Sequence, residues 1–371
     1  MRGFIGGIMI GIVIGVIIAA KVPQNHLQNQ RNYNKNHADA PEISKARVRL
    51  NFASDYPLAI LLNKKLGLDV VKRLERVSNR NIVLKFQKSA ATTLKIPLFD
   101  AVSSGAIDAA LSSSQLWTDK SVAFGLFSSV PFGPDIVAYL TWFRQHGGRA
   151  FYDRLYLKHN IKSMVCGMTG AAGAGWFNQK INTIEDLRRS TIAANGLVLN
   201  VYENIGASVV KLVPSELVSS LKNKKINAVA FSSPAMDQQL GLSKYSKYYY
   251  FPSWFQQAKF IDLMINLKKW EKLDETKQKI IETTCMANVV DSISASESVQ
   301  FDTLKEIIND GIDVREFSPE VMRALKQAWL SVSSAYSRSN NDFRQILDSL
   351  RKFRADYSIW KDLGKFEFTN P

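Results

Sequence analysis

Two separate blocks in which strand-like and helix-like apolar patterns alternate set the tightest limit on how this chain can fold. In the first block Val48–Phe52, Ile82–Phe86 and Ile107–Leu111 read as strands. Leu58–Val77 and Leu98–Ser104 read as helices between them, the second closing at Gly105. The pattern restarts with strands at Ile161–Cys166, Thr191–Ala194, Ser208–Leu212 and Ile226–Phe231, and helices at Leu197–Ile205 and Ser215–Leu221. Strands separated by helices imply parallel pairing with helices on both faces. Open α/β sheets bind ligands beyond the carboxyl ends of their strands, so two such lobes facing each other make a cleft. After Trp254 the chain reads as mainly helical, with helices at Asp274–Val299, Pro319–Tyr336 and Asp342–Trp360. The first is long enough to run along both lobes. A terminal helix beyond a complete α/β unit needs a further surface to cover, often a partner subunit.

A length of 371 residues suffices for two core-bearing lobes, and 46% hydrophobic with 22% charged residues is ordinary for a globular chain. The formal net charge of +15 is not ordinary. Its basic residues are dispersed, the densest cluster being Lys222-Asn223-Lys224-Lys225. That pattern reads as a solvated basic surface rather than a nucleic-acid site. The two cysteines, Cys166 and Cys285, read as small buried hydrophobes or as a disulfide of an oxidising compartment; sequence does not decide between these. No pair of the four histidines has metal-ligand spacing.

Phe4–Ala20 is a continuous apolar run between Arg2 and Lys21. Small residues Ala19 and Ala20 suit a cleaved export signal. Gly3, Gly7, Gly11 and Gly15 on one helix face suit a retained membrane anchor. Both readings of residues 1–20 place the rest outside the cytoplasm, in the periplasm, with membrane contact through residues 4–20 if the segment stays. Residues 21–45 are rich in Asn, Gln and His and read as a flexible linker.

Gly167–Leu187, GMTGAAGAGWFNQKINTIEDL, ends a glycine-rich run in Gly175-Trp176-Phe177 and leads to a helix start at Ile181-Asn182-Thr183. Other motifs are Phe99-Asp100-Ala101-Val102 with Gly105 and Asp108, and the turn Val130-Pro131-Phe132-Gly133. Further on come Tyr248-Tyr249-Tyr250 with Pro252 and Trp254, and Phe353-Arg354-Ala355-Asp356-Tyr357 with Trp360. Together, over Val48–Phe366, these resemble the solute-binding receptors of TRAP (tripartite ATP-independent periplasmic) transporters, in the branch that captures 2-oxo acids. The resemblance implies a two-lobed, periplasmic-binding-protein-like α/β fold with a hinge and a long C-terminal helix. It implies residues 46–165 and 257–311 in one lobe, and 166–256 and 312–335 in the other. Residues 336–371 would form a dimerisation helix, with Phe353, Tyr357 and Trp360 as contacts in a homodimer. The implied function is solute capture for TRAP membrane subunits. A second reading is a scaffold that has left transport for sensing or protein interaction.

The departures from that branch lie at the ligand. There a Gln, a Glu and a Trp backbone hold a metal ion, and an Arg grips the substrate carboxylate with two parallel donors. The matching positions here are Ala172, Ala230, Phe231 and, for the Arg, Ala193. A carboxylate buried without cation or donors costs several kcal/mol. The expectation is therefore no metal, no cofactor and a larger, more apolar pocket for a neutral or amphiphilic solute, unless a nearby lysine takes over the charge. The expected ligand-binding residues are Tyr56, Ser114, Trp117, Ala172, Trp176, Ala193, Asn195, Phe231, Ser232 and Trp254, with Ser112, Ser113, Phe177 and Ser233 beside them.

Enzymatic motifs are weak. Thr169–Gly175 looks like a dehydrogenase phosphate turn, and Tyr357 and Lys361 have Tyr-x-x-x-Lys spacing, but the turn opens no helix aimed at a phosphate. No Gly-x-Ser-x-Gly elbow is present. The chain reads as a binding protein, not an enzyme.

Overall fold

Two sheets, each drawing strands from distant parts of the sequence, organise the computed structural model, which describes residues 46–56, 69–87 and 96–364. The strands are β1 (Val48–Ser54), β2 (Ile82–Phe86), β3 (Ala109–Ser112), β4 (Ile161–Thr169), β5 (Gly175–Phe177) and β6 (Thr191–Ala193). They continue with β7 (Ser208–Val210), β8 (Ala228–Val229), β9 (Tyr248–Tyr250), β10 (Lys259–Asn266) and β11 (Asp313–Arg315). The first sheet has the order β2-β1-β3-β10-β4 and the second β11-β9-β5-β8-β6-β7. The principal helices are α1 (Val70–Val77), α2 (Leu98–Ser104), α3 (Ile136–Gln145), α4 (Gly148–Leu157) and α5 (Leu197–Asn204). After them come α6 (Pro214–Lys222), α7 (Pro234–Leu240), α8 (Glu275–Asn309), α9 (Pro319–Ser339) and α10 (Asn341–Leu363). The result is the two-lobed α/β architecture expected, with two apolar clusters that each take side chains from both sheets.

Local chemistry explains the helix starts. Asp135, Asp274, Ser318 and Asn340 each accept a backbone N–H of the following first turn. Pro214, Pro234 and Pro319 stand in first turns, where no N–H is missed. Helix α8 spans 35 residues and packs on β4, α1 and α7, so it does run along both lobes.

Two expectations are corrected. The chain after Trp254 is not simply helical, because β10 returns to the centre of the first sheet between β3 and β4. All eight of its residues are buried, so it shows no strand alternation. Nor is the pairing all parallel. β1 pairs β2 and β3 in parallel, but β10 runs antiparallel to β3 and β4, and β5 antiparallel to β8 and β9. The reason is the double crossing: β4 carries the chain towards the second lobe and β10 carries it back. Of the expected helix at 58–77, α1 is seen and residues 57–68 lie outside the described residues. The expected strand Ile226–Phe231 shortens to Ala228–Val229, which releases Phe231 from the ladder.

Cys166 and Cys285 form a disulfide that ties β4 to α8. Helix α10 lies on α3, α4 and α9 and buries Phe343, Ile346, Leu347 and Leu350. Phe353 is also covered by its own chain, its ring 5.2 Å from Tyr357 and 4.8 Å from His146. It is therefore not free for a dimer contact. The last turn leaves Ile359, Trp360 and Leu363 exposed at 64%, 71% and 83%. Among the described residues no helix is long and apolar enough to cross a membrane. The apolar segment 4–20 and the linker 21–45 lie outside the described residues.

Candidate functional site

The site is built where the chain crosses twice between the lobes, after β4 and before β10. Ala172 N–H donates to Gln256 O at 3.0 Å, Ser253 N–H to Ala172 O at 3.1 Å, and Ala174 N–H to Tyr250 O at 2.6 Å, locking the two crossings together. The glycine-rich run serves this close approach. A Cβ at Gly173 would meet the Tyr249 hydroxyl at 2.2 Å, and Gly175, at φ +144°, faces Val229 O at 3.0 Å from its would-be Cβ. A ring fills the space a phosphate turn would need, which removes the dehydrogenase reading of these glycines.

Two buried charged side chains lie beside these crossings, and neither Lys259 nor Asp237 is among the residues expected from sequence. Lys259 opens β10, opposite Thr169 of β4, and is 1% exposed. Its Nζ has no hydrogen-bond partner among the described residues. It sits 5.9 Å from the ring centroid of Tyr56, on the first lobe, and 5.8 Å from that of Phe231, on the second. Asp237, in the first turn of α7, is also 1% exposed. Trp176 Nε1 donates to its Oδ2 at 2.9 Å, and its Oδ1 is unpartnered. Burial raises the pKa of Asp237 to about 7, and Trp176 and Lys259 pull it down. Burial lowers that of Lys259 to about 8, against the opposing pull of Asp237.

A second buried carboxylate shows the contrast. Asp262 also has a pKa raised to about 7 by burial, but the hydroxyls of Tyr152 and Tyr156 donate to it at 2.7 and 3.0 Å. Both its oxygens are satisfied within the first lobe, so it serves packing. Lys259 Nζ and Asp237 Oδ1 have no hydrogen-bond partner among the described residues, and buried polar atoms left so mark places where another molecule is due.

The expected residues fall into three groups. Tyr56, Trp176 and Phe231 surround the charged pair, and Tyr249 stacks on Trp176 with ring centroids 4.2 Å apart. Ser114 has a buried, unpartnered Oγ. Asn195 donates from Nδ2 to Leu212 O at 2.9 Å and leaves Oδ1 unpartnered. Ala172 and Ala193 are buried in the crossing and at the end of β6. Ser232 spends its carbonyl on Gly173 N–H and its hydroxyl on Met236 Sδ. The Trp117 ring packs on Phe99, Phe124 and Tyr156 in the first-lobe core, and its Nε1 has no hydrogen-bond partner among the described residues. Trp254 too is mainly a packing residue, seated on Phe132, Tyr202 and Phe255.

The metal site of the resembling branch does not fit these residues. Ala172, Ala193 and Ala230 are buried methyl groups that offer no side-chain oxygen. The Ala172 carbonyl is used by Ser253 N–H and the Ala193 carbonyl by Ala230 N–H. Among the described residues no group of three His, Cys, Asp or Glu side chains could hold a metal.

Comparison with known proteins places this geometry. A TRAP transporter solute-binding protein from Bordetella bronchiseptica, solved with copurified calcium and picolinate as a mixed-occupancy dimer, superposes with a TM-score of 0.80 at 25% identity, covering 86% of this chain and 95% of that one. One from Colwellia psychrerythraea, with bound calcium and pyruvate, gives 0.79 at 26% identity, covering 86% and 97%. A monocarboxylate 2-oxoacid-binding periplasmic protein of Nostoc sp. is 25% identical over 324 residues, 87% of this chain and 88% of that protein. The model of the bacterial extracellular solute-binding proteins, family 7, matches residues 63–339, and the chain belongs to that family, DctP, of solute-binding receptors.

Proposed function

We propose that this receptor captures a small organic solute between its two lobes in the periplasm and presents it to TRAP membrane subunits without changing it chemically. The observation that carries this reading is Lys259 Nζ, buried between the rings of Tyr56 and Phe231 and without a hydrogen-bond partner among the described residues. The solutes named for the Nostoc and Colwellia relatives, a monocarboxylate 2-oxo acid and pyruvate, support a small acid. The replaced Arg and metal ligands argue that it is held differently. Residues 46–165 with 257–311 act as one lobe, and 166–256 with 312–335 as the other. Residues 1–20 export or anchor the protein, residues 21–45 tether it, and α10 pairs two copies. Mass spectrometry of small molecules released from natively purified protein, with scattering before and after their removal, tests the reading. A retained solute and an expansion on its loss are expected. A protein that carries no small molecule and keeps one shape under all solutes would overturn it.

A further inference from the structure

We infer that Lys259 is the anion anchor of this cleft, and that with Asp237 it selects a small carboxylate carrying a hydroxyl or ammonium donor. The inference rests on the receptor reading above and names the solute class for the same site.

The geometry carries it in three steps. Lys259 has three donors and no acceptor. It is buried and has no hydrogen-bond partner among the described residues, Asp237 included. An ammonium so placed needs an anion or a water-like acceptor, because burial without one is costly. Its present neighbours, the faces of Tyr56 and Phe231, supply only a cation–π attraction. Asp237 has the complementary need. Its Oδ2 is taken by Trp176 and the Ser232 backbone N–H also favours its charge, while Oδ1 makes no hydrogen bond among the described residues. Lys259 lies against Phe231 and Asp237 against Trp176, and each acts on the other's charge. A single molecule with a carboxylate at one end and a donor on the next atom or two satisfies both. A 2-oxo acid offers the carboxylate but no donor.

The position gives Lys259 a second property. The replaced Arg lies at Ala193, at the end of β6 in the second lobe, whereas Lys259 stands on β10 at the crossing itself. The anchor has moved from a lobe to the hinge, between one aromatic wall from each lobe.

The test is calorimetric titration of the full chain near neutral pH with glycolate, L-lactate, L-alanine and L-leucine, against propionate and lactamide as controls. At least one of the four acids binds; propionate, which lacks the donor, binds about tenfold more weakly, and lactamide, which lacks the charge, does not bind. Lys259→Met loses at least about tenfold in affinity for the binding acid, as expected for one charge-assisted hydrogen bond, and Lys259→Arg keeps most of it. Asp237→Asn narrows the gap between that acid and propionate. Circular dichroism and Trp fluorescence of each variant establish folding, and Lys259→Gln replaces Lys259→Met if that variant fails to fold. Equal binding by wild type and a folded neutral variant, equal binding of lactamide, or no binding of any of the four acids overturns the assignment. If natively purified protein still carries another small molecule in those cases, the receptor reading stands while the anchor falls.

Discussion

Burial works against the charge on Lys259 and against the charge on Asp237, and the two shifts meet near neutrality: about 8 for the lysine and about 7 for the carboxyl. The other titratable groups that face them are Tyr56, against Lys259, and Tyr249, beside Asp237; burial pushes both tyrosines up, away from this range. The sign for binding follows. Below about 8 the free cleft presents an ammonium, and above it a neutral amine. Carboxylate affinity is therefore expected to fall as pH rises past about 8, by up to about tenfold per pH unit. Asp237→Asn removes the charge that props up the lysine pKa, so the fall moves to lower pH. Titrations on both sides of that point check this, and a flat profile would show that no lysine titrates at the site. At this scale the sequence was half legible. Trp176 and Phe231 stood in recognisable motifs. Lys259 and Asp237 did not, because a lone charge beside an apolar run looks like surface until the fold buries it.

Among elements, β10 explains that gap. Lys259–Asn266 is buried on both faces, and a fully buried strand lacks the alternation that marks a strand in sequence. Without β10 in view, the lysine at its first position had no place in the cleft. Helix α10 was legible as an element, but its role in covering its own chain was not, since a helix pattern does not say which molecule supplies the facing surface. Ile346, Leu347 and Leu350 are buried on α3, α4 and α9, so deleting the helix would strip the core rather than test pairing. The exposed last turn is the better probe. Replacing Ile359, Trp360 and Leu363 together with Ser is expected to yield monomers by sedimentation if α10 pairs two copies. Each exposed substitution changes monomer stability by only about 0.5 kcal/mol. Unchanged sedimentation of a dimer would place the interface elsewhere.

For the whole molecule, the two-lobed plan could be read from the alternating blocks, whereas the way the lobes meet could not. Gly196 lies against Gln115, and Leu197 fills the space beside Gly125, where a Cβ would come within 2.6 Å of Leu197 Cγ. Contacts of this kind join residues far apart in sequence and leave no local pattern. Gly125→Ala is expected to wedge the lobes apart: a larger radius of gyration in scattering and at least about tenfold weaker solute binding, with each lobe still folded. A variant that scatters and binds like the wild type would show that this contact does not set closure. The bond between Cys166 and Cys285 has its own consequence at this scale. It spans 119 residues and encloses every strand of the second sheet except β11. Residues 166–285 thus form a covalent ring that takes in most of the second sheet and β10 of the first. A protease that cuts any loop between those cysteines linearises the ring without releasing a fragment. The cut protein should migrate as one species without reductant and as two pieces with it, so this receptor can be nicked and still remain a single molecule.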